Sequence, residues 1–99
     1  MIPLAGLPQV VAIHDLTEAR KAMEGMAVSA PGVSIMEKKA LFRVVRLKGM
    51  DVRAANILKQ EMLSRGGEVA ISRDVYELRE GREAECLVMG TASQFERLL

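Results

Sequence analysis

Cysteine, histidine and aromatic residues are scarce in this 99-residue chain, and their scarcity excludes several classes of protein. A single cysteine, Cys86, excludes an internal disulfide framework and is typical of proteins from a reducing compartment. A single histidine, His14, leaves too few ligands for an ordinary zinc site, so we predict no metal site. With two phenylalanines, one tyrosine and no tryptophan, the core must be built from aliphatic residues and the seven methionines.

The chain also lacks an excess of charge and any long hydrophobic run. A net charge of +1 argues against wholesale electrostatic binding to nucleic acid or to an anionic membrane. Arg43, Arg46 and Lys48 are basic, but no aromatic residues are interleaved with them, as a nucleic-acid surface would require. Residues 1–13 lack the basic start of a signal peptide, and no run approaches the ~20 apolar residues of a membrane span. We therefore expect a cytoplasmic protein with no membrane partner.

The order of apolar patterns predicts one small α/β domain over residues 1–99. The segments with strand patterns are residues 9–13, 40–48, 68–72 and 86–89. The segments with helical periodicity are residues 16–25, 52–65 and 91–99. Their alternation predicts a mainly parallel or mixed sheet of about four strands with three packed helices. Because strand 40–48 is apolar on both faces, we place it in the centre of the sheet.

Local signals define the ends of the predicted helices. Asp15 and Glu18 have the spacing of a capping box, in which each side chain accepts a backbone N–H at the start of the helix. Thr91 and Gln94 repeat that spacing at the last helix. Gly25 is expected to end the first helix in the left-handed conformation, which glycine adopts without strain. Gly66 and Gly67 are expected to stop the helix at residues 52–65.

Two stretches have no clear periodicity. Within residues 27–39, a Pro-Gly turn is followed by a short apolar piece, read as an edge strand or one helical turn. Residues 37–39 are interpreted as a solvated charge cluster. Residues 73–85 are polar, with a loop at 79–82. The apolar residues there that could form an edge strand or packing contacts are Val75, Tyr76 and Leu78.

The turn between strand 40–48 and helix 52–65 is one candidate site. Backbone N–H groups at a helix start can bind an anion, and Lys48 and Arg53 would add positive charge. Asp51 offers the competing explanation, since its carboxylate would cap the helix and occupy those donors. His14 follows a strand and precedes a cap, and we interpret it as a surface or capping residue. Cys86 lies within an apolar run, and we interpret it as a buried thiol.

A polar strip on helix 52–65 is the second candidate. Asn56 and Gln60 share a face, and Lys59 lies at the edge of the apolar stripe. Either they form a solvated strip with a snorkelling lysine, or they contact another domain. The last helix is capped but stops after about eight residues at two leucines, which suggests a fragment of a longer chain.

Several stretches resemble the N-terminal extension of long-form, clostridial-type dihydropteroate synthases. The most specific is residues 54–68, AANILKQEMLSRGGE, which follows a similar strand at residues 40–49, ALFRVVRLKG. Further matches are Ser-Ile-Met at residues 34–36 and Leu-Val-Met-Gly-Thr at 87–91, with Gln94 beyond them. The resemblance covers residues 9–99, most of the chain.

The resemblance implies a non-catalytic accessory domain, used for packing or oligomerisation, in an enzyme that joins a dihydropterin pyrophosphate to p-aminobenzoate. The implied partners are the enzyme's own C-terminal pterin-binding barrel and further copies of the chain. The parent enzyme is expected to use magnesium, and this domain no cofactor. A barrel needs about 250 residues and its motifs are absent here, so no catalytic residue can be assigned. The alternative function is a small-ligand or anion-binding regulatory domain.

Overall fold

The computed structural model describes residues 6–72 and 83–99, which form four helices and a three-stranded sheet. The helices are α1 Leu16–Glu24, α2 Ala30–Ala40, α3 Val52–Ser64 and α4 Ala92–Leu98. The strands are β1 Phe42–Asp51, β2 Glu68–Ile71 and β3 Glu83–Thr91. None of the described helices is both long and apolar enough to cross a membrane.

The sheet has the strand order β1-β3-β2, and β3 pairs antiparallel with both neighbours. The predicted α/β class is confirmed. The predicted mainly parallel or mixed sheet of about four strands with three helices is corrected, in the described residues, to an antiparallel sheet of three strands with four helices. β1 and β2, which precede and follow α3 in the sequence, run parallel to each other. In the sheet, β3 lies between them, as in a split β-α-β unit. Hydrogen bonding between neighbouring strands is consequently all antiparallel in the described part of the sheet.

Strand β1 lies at an edge of the sheet, whereas we predicted it at the centre. Among the described residues β3 is the one strand that pairs with it, and Phe42 and Val44 on this strand are 59% and 55% exposed. The central strand is β3, whose residues Ala84, Cys86 and Val88 are buried. β3 begins at Glu83, so residues 83–85, predicted to belong to the irregular polar stretch, are part of this strand.

The core lies on one face of the sheet, where α3 and α4 pack. Helix α3 contributes Val52, Ala55 and Met62, which are at most 4% exposed. Phe95 and Leu98 of α4 pack against the same cluster, while Leu99, predicted on the apolar side, is fully exposed. Burial of a continuous apolar cluster between helix and sheet is the main force that stabilises such a layer.

The termini of α3 and α4 follow the predicted local signals. The Asp51 carboxylate caps α3, and Gly66, at φ 87°, ends it in the left-handed region. At α4, Thr91 Oγ1 accepts from Gln94 N at 3.2 Å and Gln94 Oε1 accepts from Thr91 N at 2.8 Å. The same Gln94 side chain donates from Nε2 to the Arg65 carbonyl at 3.1 Å, which joins the start of α4 to the end of α3.

Helix α1 is confirmed with two differences at its ends. Asp15 accepts from Glu18 N as predicted, but the Glu18 carboxylate accepts from His14 N at 2.7 Å rather than from the cap residue. Gly25 has a right-handed φ of −61°, and the left-handed residue is Ala27 at φ 60°. Gly25 caps the helix in the right-handed region, with its N–H donated to the Lys21 carbonyl, so the reversal occurs two residues later.

Helix α2 occupies residues that were predicted to be irregular. The Ser29 hydroxyl caps it, and Pro31 lies in the first turn, where a missing N–H breaks no intrahelical hydrogen bond. The Pro-Gly pair thus opens a helix instead of forming an isolated turn. Glu37, predicted within a solvated cluster, is only 8% exposed because α2 packs against α1.

Residues 9–13 form no strand. Val10 is fully exposed and Val11 is 65% exposed, and no other part of the described chain pairs with their backbone. A β-branched sequence without a neighbouring strand has no partner for its N–H and C=O groups. The predictions for Val75, Tyr76, Leu78 and the loop 79–82 lie outside the described residues.

Candidate functional site

The turn before α3 places Lys48 on β1 and Arg53 in the first turn of the helix. Between them the chain passes Gly49, at φ 70°, where the register of β1 against β3 shifts. Asp51 Oδ2 accepts from Arg53 N at 3.1 Å and from Ala54 N at 3.3 Å. The carboxylate thus occupies donors that an anion would need, which favours capping as the role of this turn.

The polar strip on α3 is only partly free to contact another molecule. Asn56 Nδ2 donates to the Val52 carbonyl at 3.1 Å, one turn earlier. Lys59 Nζ lies 3.9 Å from Glu68 Oε1, so this lysine is directed toward β2. Gln60 is exposed. The helix therefore presents these residues beside the sheet, with Gln60 the most accessible.

Neither the histidine nor the cysteine has the setting of a catalytic group. His14 Nδ1 lies 3.0 Å from Glu18 Oε2 and its side chain is 75% exposed, in agreement with the surface position that was predicted as one of its two roles, while Asp15 is the cap of α1. Cys86 is 1% exposed, as predicted, and burial raises the pKa of its thiol above the ordinary value. The thiol therefore stays protonated at neutral pH, where a nucleophile would need the thiolate.

A cleft of about 350 Å³ between α1 and α2 contains a fixed ion pair that the sequence analysis did not predict. Arg20 Nε donates to Glu37 Oε2 at 2.9 Å, with Glu37 nearly buried and Arg20 half exposed. This hydrogen bond, with the carboxylate charge, raises the pKa of Arg20. The pair joins the two helices.

The face of the sheet opposite α3 carries an apolar surface, which we call the open face. Its residues are Phe42, Val44, Ala70, Leu87 and Met89. Val44 lies opposite Met89, and Leu87 lies opposite Ala70, so the residues form a continuous patch across three strands. A shallow groove of about 240 Å³ crosses one end, where Arg46 Nε lies 3.3 Å from Glu85 Oε1.

The open face was missed because its residues alternate with core residues along each strand. The apolar pattern of residues 40–48 was visible in the sequence, but it was assigned to a central strand covered on both sides. In the described part of the chain, no three His, Cys, Asp or Glu side chains come together where they could hold a metal ion. The features present are those of a contact surface, namely apolar side chains bordered by ion pairs.

A comparison with known proteins finds a relative in an archaeon. Over 86 residues, 87% of this chain, the sequence is 37% identical to a Halobacterium salinarum protein named "Probable bifunctional folylpolyglutamate synthase/dihydropteroate synthase". The aligned segment is only 10% of that protein, so the chain spans about a tenth of the length of the relative it matches. No family model matches the chain. No solved structure matches it either. The chain is thus similar to a short segment of a folate-pathway enzyme.

Proposed function

We propose that this chain is a non-catalytic accessory domain of a dihydropteroate synthase-like enzyme of folate biosynthesis. The observation that carries the proposal is the 37% identity over 86 residues to a segment of an enzyme named for this activity. The matched segment has 86 residues, far fewer than the about 250 residues of a catalytic barrel. The chain would contribute surface to the enzyme rather than reacting groups.

The proposed role is packing against the pterin-binding barrel or against another subunit. Two surfaces support it: the strip of Asn56, Lys59 and Gln60 on α3, and the exposed apolar residues of β1. Phe42 and Val44 would lose contact with water in such an interface, which is favourable in proportion to the apolar area buried. Magnesium is proposed for the catalytic part alone, and no residue described here is assigned to it.

The regulatory alternative, with an anion held by Lys48 and Arg53, has less support. Asp51 accepts two of the backbone N–H groups at that helix start and places a negative charge there. An incoming anion would have to displace this carboxylate. We therefore retain the accessory role as the proposed function.

The test compares the full-length polypeptide that carries this chain with a form lacking residues 1–99. We expect the deleted form to retain the condensing activity per active site, but to lose thermal stability or subunit assembly. The triple variant N56A/K59A/Q60A should weaken assembly in the same direction. Its matched control, K21A/K39A, changes exposed residues on α1 and α2 and should have no effect. Turnover of the pterin substrate by the 99-residue chain alone would contradict the proposal, as would a deletion that changes neither stability nor assembly.

A further inference from the structure

The segment at residues 7–13, which we call the N-terminal arm, is an apolar stretch that contacts little of its own domain. Leu7 is 93% exposed, Val10 is fully exposed and Val11 is 65% exposed. No charged residue occurs before position 14. Residues 9–13 contain the β-branched Val and Ile that favour strands, yet no strand pairs with them in the described part of the chain.

Among the described residues, nothing pairs with the edge of β1 that faces away from β3, which we call the free edge. It has the hydrogen-bonding groups that such an arm could use. Ala92 N donates to the Leu41 carbonyl at 2.9 Å, so the flanking residues Phe42 and Thr91 form a non-hydrogen-bonded pair of the antiparallel ladder. In an antiparallel ladder the two kinds of pair alternate. The backbone groups of Val44 and Arg46 therefore point away from β3, toward the free edge.

The pattern of side chains along β1 is also typical of a strand that has neighbouring strands on both sides. Phe42 and Val44 lie on the open face, whereas Val45 and Leu47 lie on the core face with Val88 and Cys86. Apolar residues on both faces are typical of an interior strand, and β1 occupies an edge. The arm has the same property, because its apolar residues fall on both faces of an extended chain.

We propose that the arm of one copy adds to the free edge of β1 in a second copy, and that the exchange is reciprocal. Each chain would then donate one strand and receive one, which closes a two-fold dimer. A second copy is the occupant because the arm, with Val10 fully exposed, does not lie on its own sheet. Because the arm carries no charged side chain, its pairing with β1 brings no positive charge next to Arg43 or Arg46. This inference does not depend on the proposed function.

The experiment measures the mass of the 99-residue chain by light scattering over a concentration series. We expect the wild-type chain to form a dimer and V11D to be a monomer, because aspartate disfavours the strand conformation and places a charge among apolar side chains at the strand edge. The matched control is I57D on α3, since Ile57 is 64% exposed and Val11 is 65% exposed. The control should remain a dimer.

Hydrogen exchange at the Val44 amide identifies the interface. This N–H is directed at solvent in a single chain, so it should exchange slowly in the wild-type dimer and rapidly in V11D. Circular dichroism of V11D checks that the fold is intact. A wild-type chain that stays monomeric, a V11D dimer, or a wild-type dimer with rapid exchange at Val44 would each overturn the proposal. The last result would place the dimer contact on another surface, such as the open face.

Discussion

At the scale of single residues, Gly67 shows how closely the elements approach one another. A Cβ atom at this position would lie 2.6 Å from Met62 Cε and 2.8 Å from the Met89 carbonyl oxygen. The methionine end can move, but the carbonyl belongs to the central strand β3 and is held in the sheet. The absence of a side chain at Gly67 therefore allows the chain to pass from α3 to β2 beside β3.

We predict that G67A lowers the free energy of unfolding by about 1–3 kcal/mol, the usual cost of inserting a methyl group into a packed site. Urea denaturation measures this loss. The matched control is G6A, because no atom lies within 4 Å of a Cβ built at Gly6. Equal stability of the two variants would show that β3 can shift to admit the methyl group.

At the scale of elements, α1 is joined to α2 through the ion pair of Arg20 with Glu37. The Glu37 side chain is 11% exposed, so its carboxylate depends on Arg20 for a polar partner. The ion pair of Lys38 with Glu96 links α2 to α4 at 2.6 Å, but both side chains are more exposed there. Exposed pairs contribute little, whereas a buried group that loses its partner is costly.

The variant R20M should destabilise the helix pair α1–α2, because it leaves the Glu37 carboxylate unpaired while keeping an apolar stem. Hydrogen exchange at the α1 amides should accelerate in parallel with a lower urea midpoint. K21M removes a neighbouring exposed charge from the same helix and serves as the control. Identical exchange in R20M and K21M would mean that the ion pair does not hold the helices together.

At the scale of the whole molecule, one cluster between α3 and the sheet stabilises the fold, and it includes the chain's single thiol. Cys86 and Met62 are each at most 1% exposed within this cluster. A reagent can reach the thiol only when the cluster opens, so its reaction rate reports the stability of the core. The total stability of such a domain is about 5–15 kcal/mol, so one core substitution takes a large part of it.

The variant M62A is predicted to cost about 2–5 kcal/mol through the cavity it leaves. The rate of modification of Cys86 at neutral pH should rise by roughly 30-fold for a loss near 2 kcal/mol. L63A is the control, since Leu63 is the next residue on α3 and is 42% exposed. A thiol that reacts equally fast in the wild-type chain and in M62A would show that Cys86 is reached without opening the core.

The parts of the fold that could be predicted from the sequence depend on contacts within a few residues. The Asp51 cap of α3, the stop at Gly66 and the capping box of Thr91 with Gln94 all join groups at most three positions apart or set a single backbone angle. The burial of Cys86 followed from its apolar neighbours. Helix α2 was missed because Pro31 has the same local signature in a turn and in the first turn of a helix.

The candidate site was less predictable, since it depends on which strands are neighbours. The open face exists only because β3, far along the sequence, lies between β1 and β2. The contact residues Asn56, Lys59 and Gln60 were located on α3, but the approach of Lys59 to Glu68 required the strand placement. The interdomain and anion-binding roles assigned to these residues, and to Lys48 and Arg53, stay predictions.

The amino-acid sequence by itself determined the α/β class, the bounds of α3, β2 and α4 to within a few residues, and the absence of a disulfide framework. These properties follow from periodicity, capping and composition, which are local. Only the tertiary structure decided the antiparallel order β1-β3-β2, the edge position of β1 and the burial of Glu37. The physical reason is that strand pairing and the burial of an ion pair depend on contacts between residues far apart in the chain. A local sequence pattern carries no information about the free energy of such contacts.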